Sequence, residues 1–160
     1  RGLFSGGTLW SEAQVILGET VSGIYSNVPF GSAEKLPDSS KSQKHTLLDL
    51  GEDEFTIGRP HPMIDFSLRN ERILQEASDP ETAIILLDVV LGFGAHPDPA
   101  EELSGIVQKA SQQVAVVCSV TGTDNDPQNR NKVAVALEKA GAIVMDSNAE
   151  ICRVAGYNFI

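Results

Sequence analysis

One stretch constrains this chain more than any other: Ile84–Ala110, I-I-L-L-D-V-V-L-G-F-G-A-H-P-D-P-A-E-E-L-S-G-I-V-Q-K-A. Its almost unbroken apolar run suits a strand covered on both faces, as in a parallel sheet. The run stops at Gly92 and Gly94, which let the backbone turn sharply and lie close to a ligand. Asp98-Pro99 then supplies an N-cap and a proline at the first helical position, and Glu101 stands where a capping-box acid would. Ala100, Leu103, Ile106, Val107 and Ala110 share one helical face. A strand, a glycine loop and a helix N-terminus in series are how α/β proteins build ligand sites, although a tight turn needing only glycine would read the same way.

The unit recurs. Gly2–Ser5 is a short apolar run entering Gly6-Gly7-Thr8, and Leu9, Ala13, Ile16 and Leu17 then share a helical face that Gly18 stops. Residues 21–44 have no clear period; they read as an irregular excursion with one short strand near Ile24 and a mobile tip at Asp38–Ser42. Thr46–Leu50 is a strand that runs into a loop where Pro60 and Pro62 hold His61 in stiff, extended backbone. Asp65 or Ser67 caps a helix over Leu68–Ala77, ended by Asp79-Pro80. Val114–Val120 is another buried strand. Asp126-Pro127 repeats the cap-and-proline start, opening a helix with Val133, Leu137 and Ala140 inward and Gly141 at its close. Ala142–Met145 is a last strand, and Ser147 or Asn148 caps a helix over Ala149–Tyr157.

Strands near 2–5, 46–50, 84–91, 114–120 and 142–146 alternate with helices. That alternation predicts one flavodoxin-like domain over 1–160, a doubly wound five-stranded parallel sheet of order 2-1-3-4-5 with right-handed crossovers. Ligands of such sheets bind beyond the strand C-termini where the order reverses, here between the first and third strands. Those strands carry Ser5-Gly6-Gly7-Thr8 and Gly92-Phe93-Gly94-Ala95, the expected phosphate- or anion-binding loops.

Composition narrows the ligand. A formal charge of −10 argues against nucleic acid or an anionic membrane surface as the partner. Local N–H groups must therefore hold any small anion against the global charge. Hydrophobic content of 41% allows a real core, and no apolar run is long enough to span a membrane. The chain starts at Arg1 rather than Met and is expected to be a domain excised from a longer chain. Cys118 and Cys152 read as buried small residues in a reducing, cytoplasmic setting. The three histidines show no zinc spacing with them, so no metal site is expected, and no Walker motif supports nucleotide binding.

The Ser5–Thr8 turn offers free N–H groups at a helix N-terminus, and Thr8 adds a hydroxyl donor; phosphate, carboxylate or acyl phosphate would suit it. Arg59 and His61 are the candidate catalytic residues. Arg59 can grip a carboxylate or phosphate with its fork, and His61, between two prolines, would be held rigidly. His61 could equally be a loop residue whose ring satisfies a backbone carbonyl. His96 is a weaker candidate, and His45 reads as the solvated start of a strand. Asp49 and Asp88 end or interrupt apolar strands; a buried acid needs partners, from Arg59 or from loop N–H groups. No Ser-His-Asp set follows from the spacing.

Several strings carry a resemblance. S-G-G-T-L-W-S-E-A (Ser5–Ala13), S-D-P-E-T-A-I-I-L-L (Ser78–Leu87) and L-E-K-A-G-A-I-V (Leu137–Val144) resemble segments of the succinyl-CoA synthetase α subunit. Asp49–Asp65 with its G-R-P-H-P-M-I-D string, Leu86–Ala95 and Val120–Gln128 are more closely similar to the FdrA family of acyl-CoA-synthetase-like proteins. That resemblance implies a C-terminal ligase-type domain with a CoA-binding domain upstream, CoA as a cofactor through that domain only, and assembly into homo- or hetero-oligomers. It permits acyl-CoA ligation, or carbamoyl transfer in allantoin and purine breakdown. It also permits a non-catalytic assembly module. The phosphohistidine of succinyl-CoA synthetase lies in a G-H-A-G-A segment; the matching Thr121–Lys132 here contains no histidine. The acid that holds that histidine has Val90 as its nearest position, with Asp88 two residues earlier. The relay is therefore not expected in this chain.

Overall fold

A computed structural model describes residues 1–158. The strands are β1 (Gly2–Phe4), β2 (Ile24–Ser26), β3 (Glu34–Lys35), β4 (His45–Asp49), β5 (Ile84–Val90), β6 (Ala115–Thr121) and β7 (Ile143–Met145). The helices are α1 (Gly7–Gly18), α2 (Asp53–Thr56), α3 (Ser67–Ser78), α4 (Pro99–Ala110), α5 (Arg130–Lys139) and α6 (Asn148–Asn158). All pairings are parallel, in the order β3-β2-β4-β1-β5-β6-β7. Without β3 and β2 this is the flavodoxin-like 2-1-3-4-5 order, with the reversal between β1 and β5.

The side-chain alternation of the strands divides the core in two. Ile85, Leu87 and Val89 of β5 join Leu3, Leu48, Val116 and Cys118 under α3, α4 and α5. Ile84 and Leu86 join Phe4, Leu47 and Val117 under α1 and α6. Both faces of β5 are covered, which is why its sequence reads as a continuous apolar run.

Residues 21–44 differ from expectation. They add two short strands rather than one and extend the sheet to seven. The Trp10 indole N–H donates to Ser26 Oγ at 3.1 Å, and Phe30 N–H to Gln14 Oε1 at 2.9 Å, fixing the segment to α1. Its Asp38–Ser42 tip, expected to be mobile, is fastened to α3: Arg72 donates to Ser39 O at 2.7 Å and to Ser42 Oγ at 2.8 Å, and Gln75 to Ser40 O at 3.0 Å. Two- and three-residue strands held by side chains leave no periodic signal.

The caps are mixed. Asp98 accepts from Glu101 N–H at 3.1 Å as expected, but its own N–H donates to His96 Nδ1, so Glu101 does not close a capping box. The Asp126-Pro127 start is corrected. The Asp126 carboxylate accepts from Thr123 N–H at 2.6 Å within the preceding turn. Helix α5 begins three residues later, where Asn129 (φ 58°) caps Lys132 N–H at 3.0 Å. Asp126 was a turn residue with the composition of a cap. At α6, Ser147 Oγ accepts from Glu150 N–H at 3.2 Å.

Candidate functional site

At the end of β1 the chain turns through Ser5 and Gly6 into α1, while β5 continues beside it to Val90. Between them lies an open cleft of about 340 Å³ lined by Ser5, Gly6, Gly7, Thr8, Leu9, His61, Met63, Asp88 and Val90. It sits at the reversal of strand order. No side chain caps the N-terminus of α1. Gly7 and Thr8 are exposed, so first-turn N–H groups are open to solvent or ligand.

Beneath the cleft is a row of buried polar residues across adjacent strands: Asn27, Asp49, Ser5, Asp88 and Ser119. Asp88 accepts from Ser5 N–H at 2.7 Å and from the Ser5 hydroxyl. Arg69, on the inward face of α3, donates to Asp88 O at 2.6 Å and to Oδ1 at 3.3 Å. Both side chains are 1% exposed. Burial lowers the pKa of the Arg69 guanidinium, and Asp88 opposes that shift. The guanidinium lies 4.6 Å from the centre of the Phe66 ring, whose other neighbour is the His96 ring at 5.0 Å. Asp49 is clamped by Asn27: Asp49 N–H donates to Asn27 Oδ1, and Asn27 Nδ2 to Asp49 O, both at 2.9 Å. Its carboxylate accepts from Gly51 N–H at 2.8 Å. Burial raises its pKa above the usual carboxylate value.

His61 forms one wall. Its Nδ1 accepts from Met63 N–H at 3.2 Å. The ring lies against two glycines: a Cβ on Gly6 would sit 3.7 Å from Nε2, and one on Gly51 only 2.8 Å from it. The same Gly51 Cβ would meet Ser5 O at 2.8 Å and Asp49 Oδ1 at 3.1 Å, so glycine at 51 is what lets these three groups converge.

The sequence of this domain is matched over residues 3–157 by the sequence profile described as CoA-ligase. The chain belongs to the CoA-ligase family. It is 40% identical over 155 residues to the uncharacterized protein YahF of Escherichia coli (strain K12), covering 92% of this chain and 30% of that protein. The chain thus spans about 30% of the length of this relative.

Within this CoA-ligase domain, Ser5, Gly6, Gly7, Thr8 and His61 meet in the cleft. Gly92, Phe93, Gly94 and Ala95 do not line it. Gln128 holds that loop apart, accepting from Gly92 N–H at 3.1 Å and donating to Gly92 O at 2.7 Å and His96 O at 3.0 Å. Arg59 is exposed and lines a separate depression with Leu50, Phe55 and Pro62. His96 is fixed structurally, donating its N–H to Met63 O at 2.7 Å. Sequence reasoning missed Arg69. The available signal was charge on an inward face: Arg69, Arg72 and Glu76 share the buried side of α3 with Ile73 and Ala77. Among the described residues no three His, Cys, Asp or Glu side chains cluster as a metal site, and no helix is long and apolar enough to cross a membrane.

Proposed function

We propose that this CoA-ligase domain is the anion-holding part of an acyl-CoA-synthetase-like protein of the FdrA type. In this reading the Ser5–Thr8 turn and His61 receive a phosphate, a carboxylate or the mixed anhydride of the two. The observation that carries it is the cleft itself: an uncapped helix N-terminus faces an imidazole, at the point where the strand order reverses. The CoA thiol would be delivered by a separate CoA-binding domain. The Gly92–Ala95 loop, one strand end away, would meet only parts of a ligand that extend beyond the cleft. Arg59 would do the same from the outer side of its loop.

Amide resonances of Gly6, Gly7 and Thr8 are expected to shift on titration with phosphate, sulfate or oxamate. If none of the three responds to any anion, the reading fails. In the full-length protein, His61→Ala is expected to lower turnover, and Arg59→Ala to lower it less. Full activity in His61→Ala would remove that residue from the site.

A second reading has its own observation. Phe93, on the loop after β5, is 93% exposed, and Ile57, at the C-terminal end of α2, is 81% exposed. Large exposed apolar side chains on a functional edge favour docking of another domain or subunit there. Phe93→Asp is expected to weaken assembly of the full-length protein in sedimentation; unchanged assembly would argue against this.

A further inference from the structure

We infer that Gln128 is a positioning residue of the cleft. It fixes the Gly92–His96 loop so that the His96 N–H can hold the Met63 carbonyl, and through the Met63 backbone it sets the His61 ring beside the Ser5–Gly6 turn. Its effect on a ligand rests on the anion-site reading above, whereas the line of contacts does not.

The His61 wall has little support of its own. Residues 57–66 join α2 to α3 without pairing to any strand. Within them the His61 carbonyl accepts from Ile64 N–H at 2.8 Å and from Asp65 N–H at 3.1 Å, which closes a turn but does not tie it to the sheet. Among the described hydrogen bonds, one joins this segment to another loop: His96 N–H donates to Met63 O at 2.7 Å. Met63 is thus held by its carbonyl, and its own N–H donates to His61 Nδ1 at 3.2 Å. Pro62 stands between the two residues with its φ locked, so a shift of Met63 is passed to the ring rather than absorbed. Met63 and His61 both line the cleft.

His96 depends in turn on Gln128. Its loop starts at Gly92, whose φ of 129° suits glycine alone, and passes through the exposed Phe93 and Gly94. Such a segment has many conformers unless its two ends are fixed. Gln128, in the loop before α5, fixes both. Its Oε1 accepts from Gly92 N–H at 3.1 Å, and its Nε2 donates to Gly92 O at 2.7 Å and to His96 O at 3.0 Å. One N–H and two carbonyls are met, so only this orientation of the amide satisfies every partner. The His96 ring has anchors of its own, the Phe66 ring at 5.0 Å between centroids and Asp98 N–H at 3.1 Å from Nδ1. Those orient the ring. Gln128 places the backbone that carries the donor to Met63.

Two variants test the brace by NMR. Gln128→Met keeps the length of the side chain without a donor or acceptor; Gln128→Glu keeps an acceptor for Gly92 N–H but has no donor for His96 O. Both are expected to speed hydrogen exchange of the His96 amide at least about tenfold over the parent, and to move the Met63 amide and the His61 ring resonances. Amides of β5 and β6 should stay in place. Phosphate should then reach the Gly6–Thr8 amides with about three- to tenfold weaker affinity, at most the worth of one hydrogen bond. A His96 amide as protected as the parent's, or unmoved Met63 and His61 resonances, in either variant overturns the positioning role. So do shifts spread evenly through β5 and β6, and so does an unchanged phosphate affinity beside a displaced His61. A parent chain whose Gly6–Thr8 amides ignore phosphate sinks the anion site instead; displaced Met63 and His61 resonances in the variants would still uphold the line of contacts.

Discussion

Removing the Arg69 guanidinium tests whether the floor of the cleft is braced by a buried charge pair. Arg69→Met keeps most of the volume and the contact with Phe66 but leaves two acceptors of Asp88 without their partner: its carbonyl, at 2.6 Å, and its carboxylate Oδ1, at 3.3 Å. A lost hydrogen bond to a charged group costs about 1.5–3 kcal/mol, and an unsatisfied buried carbonyl about 1–3 kcal/mol. Both side chains are 1% exposed, so water does not easily replace the guanidinium. Ser5 still donates twice to Asp88, which holds the total to about 3–5 kcal/mol, the usual cost of breaking a buried pair from one side. For a chain of 160 residues that is a fall in Tm of about 6–20 °C. Urea unfolding of Arg69→Met, Asp88→Asn and the double variant gives a cycle in which the coupling should exceed about 1.5 kcal/mol. An Arg69→Met loss under about 1 kcal/mol, or a coupling within about 0.5 kcal/mol of zero, would refute the brace.

Three further outcomes are expected. Gly51→Ala places a methyl 2.8 Å from both Ser5 O and His61 Nε2; it should cost about 1–3 kcal/mol and displace the His61 ring, seen as changed His61 and Ser5 resonances, and native resonances with unchanged stability would contradict it. Burial raises the Asp49 pKa above 3.8, so ionisation of this acid opposes folding at neutral pH and that cost fades as pH falls toward the unfolded value. Asp49→Asn should therefore gain stability relative to the parent at pH 7 and lose that advantage near pH 4; urea titrations at both pH values check the sign, and an advantage that grows on acidification is the contrary result. Burial pushes the Cys118 and Cys152 thiols up to about 12, so neither should react with iodoacetamide at pH 8 until the chain unfolds; alkylation of the native protein at the rate of a free thiol would show that the core opens.

The parts of the fold legible in the sequence were those where one physical requirement acts over many residues. β5 and β6 are covered on both faces, so their apolar runs declare them. The α4 start was readable because Asp98 performs the cap that its composition advertises. Legibility ended where a side chain had two possible employers. Asp126 looked like a cap and serves a turn; Asn129, with positive φ, takes the helix. The same holds for the site. The Ser5–Thr8 turn and His61 stood out through glycine and proline, which act on their own backbone. Gly92–Ala95 shared that signature, yet Gln128, 36 residues away, decides where the loop goes. Arg69 showed itself only as a charge on a face that should have been apolar, and nothing local names Asp88 as its partner.

Those distant partners also limit what the proposed cleft can do. Asp88 is the acid nearest the turn, but its oxygens already accept from Ser5 N–H, the Ser5 hydroxyl and Arg69. Taking a proton there would loosen the floor, so Asp88 is a poor general base. The Ser5 hydroxyl points its hydrogen into that carboxylate. His61 Nδ1 is held by Met63 N–H. What lines the cleft is then a set of donors, helix N–H groups and the Thr8 hydroxyl, with the His61 ring beside them. Such a surface stabilises negative charge on an oxygen and orients the group that bears it. Ser5 and Asp88 supply neither an attacking atom nor a free base. In the proposed ligase reading, the nucleophile and any proton acceptor must therefore come with the ligand or from another domain, and this domain's share of the work is to hold an oxyanion still while they act.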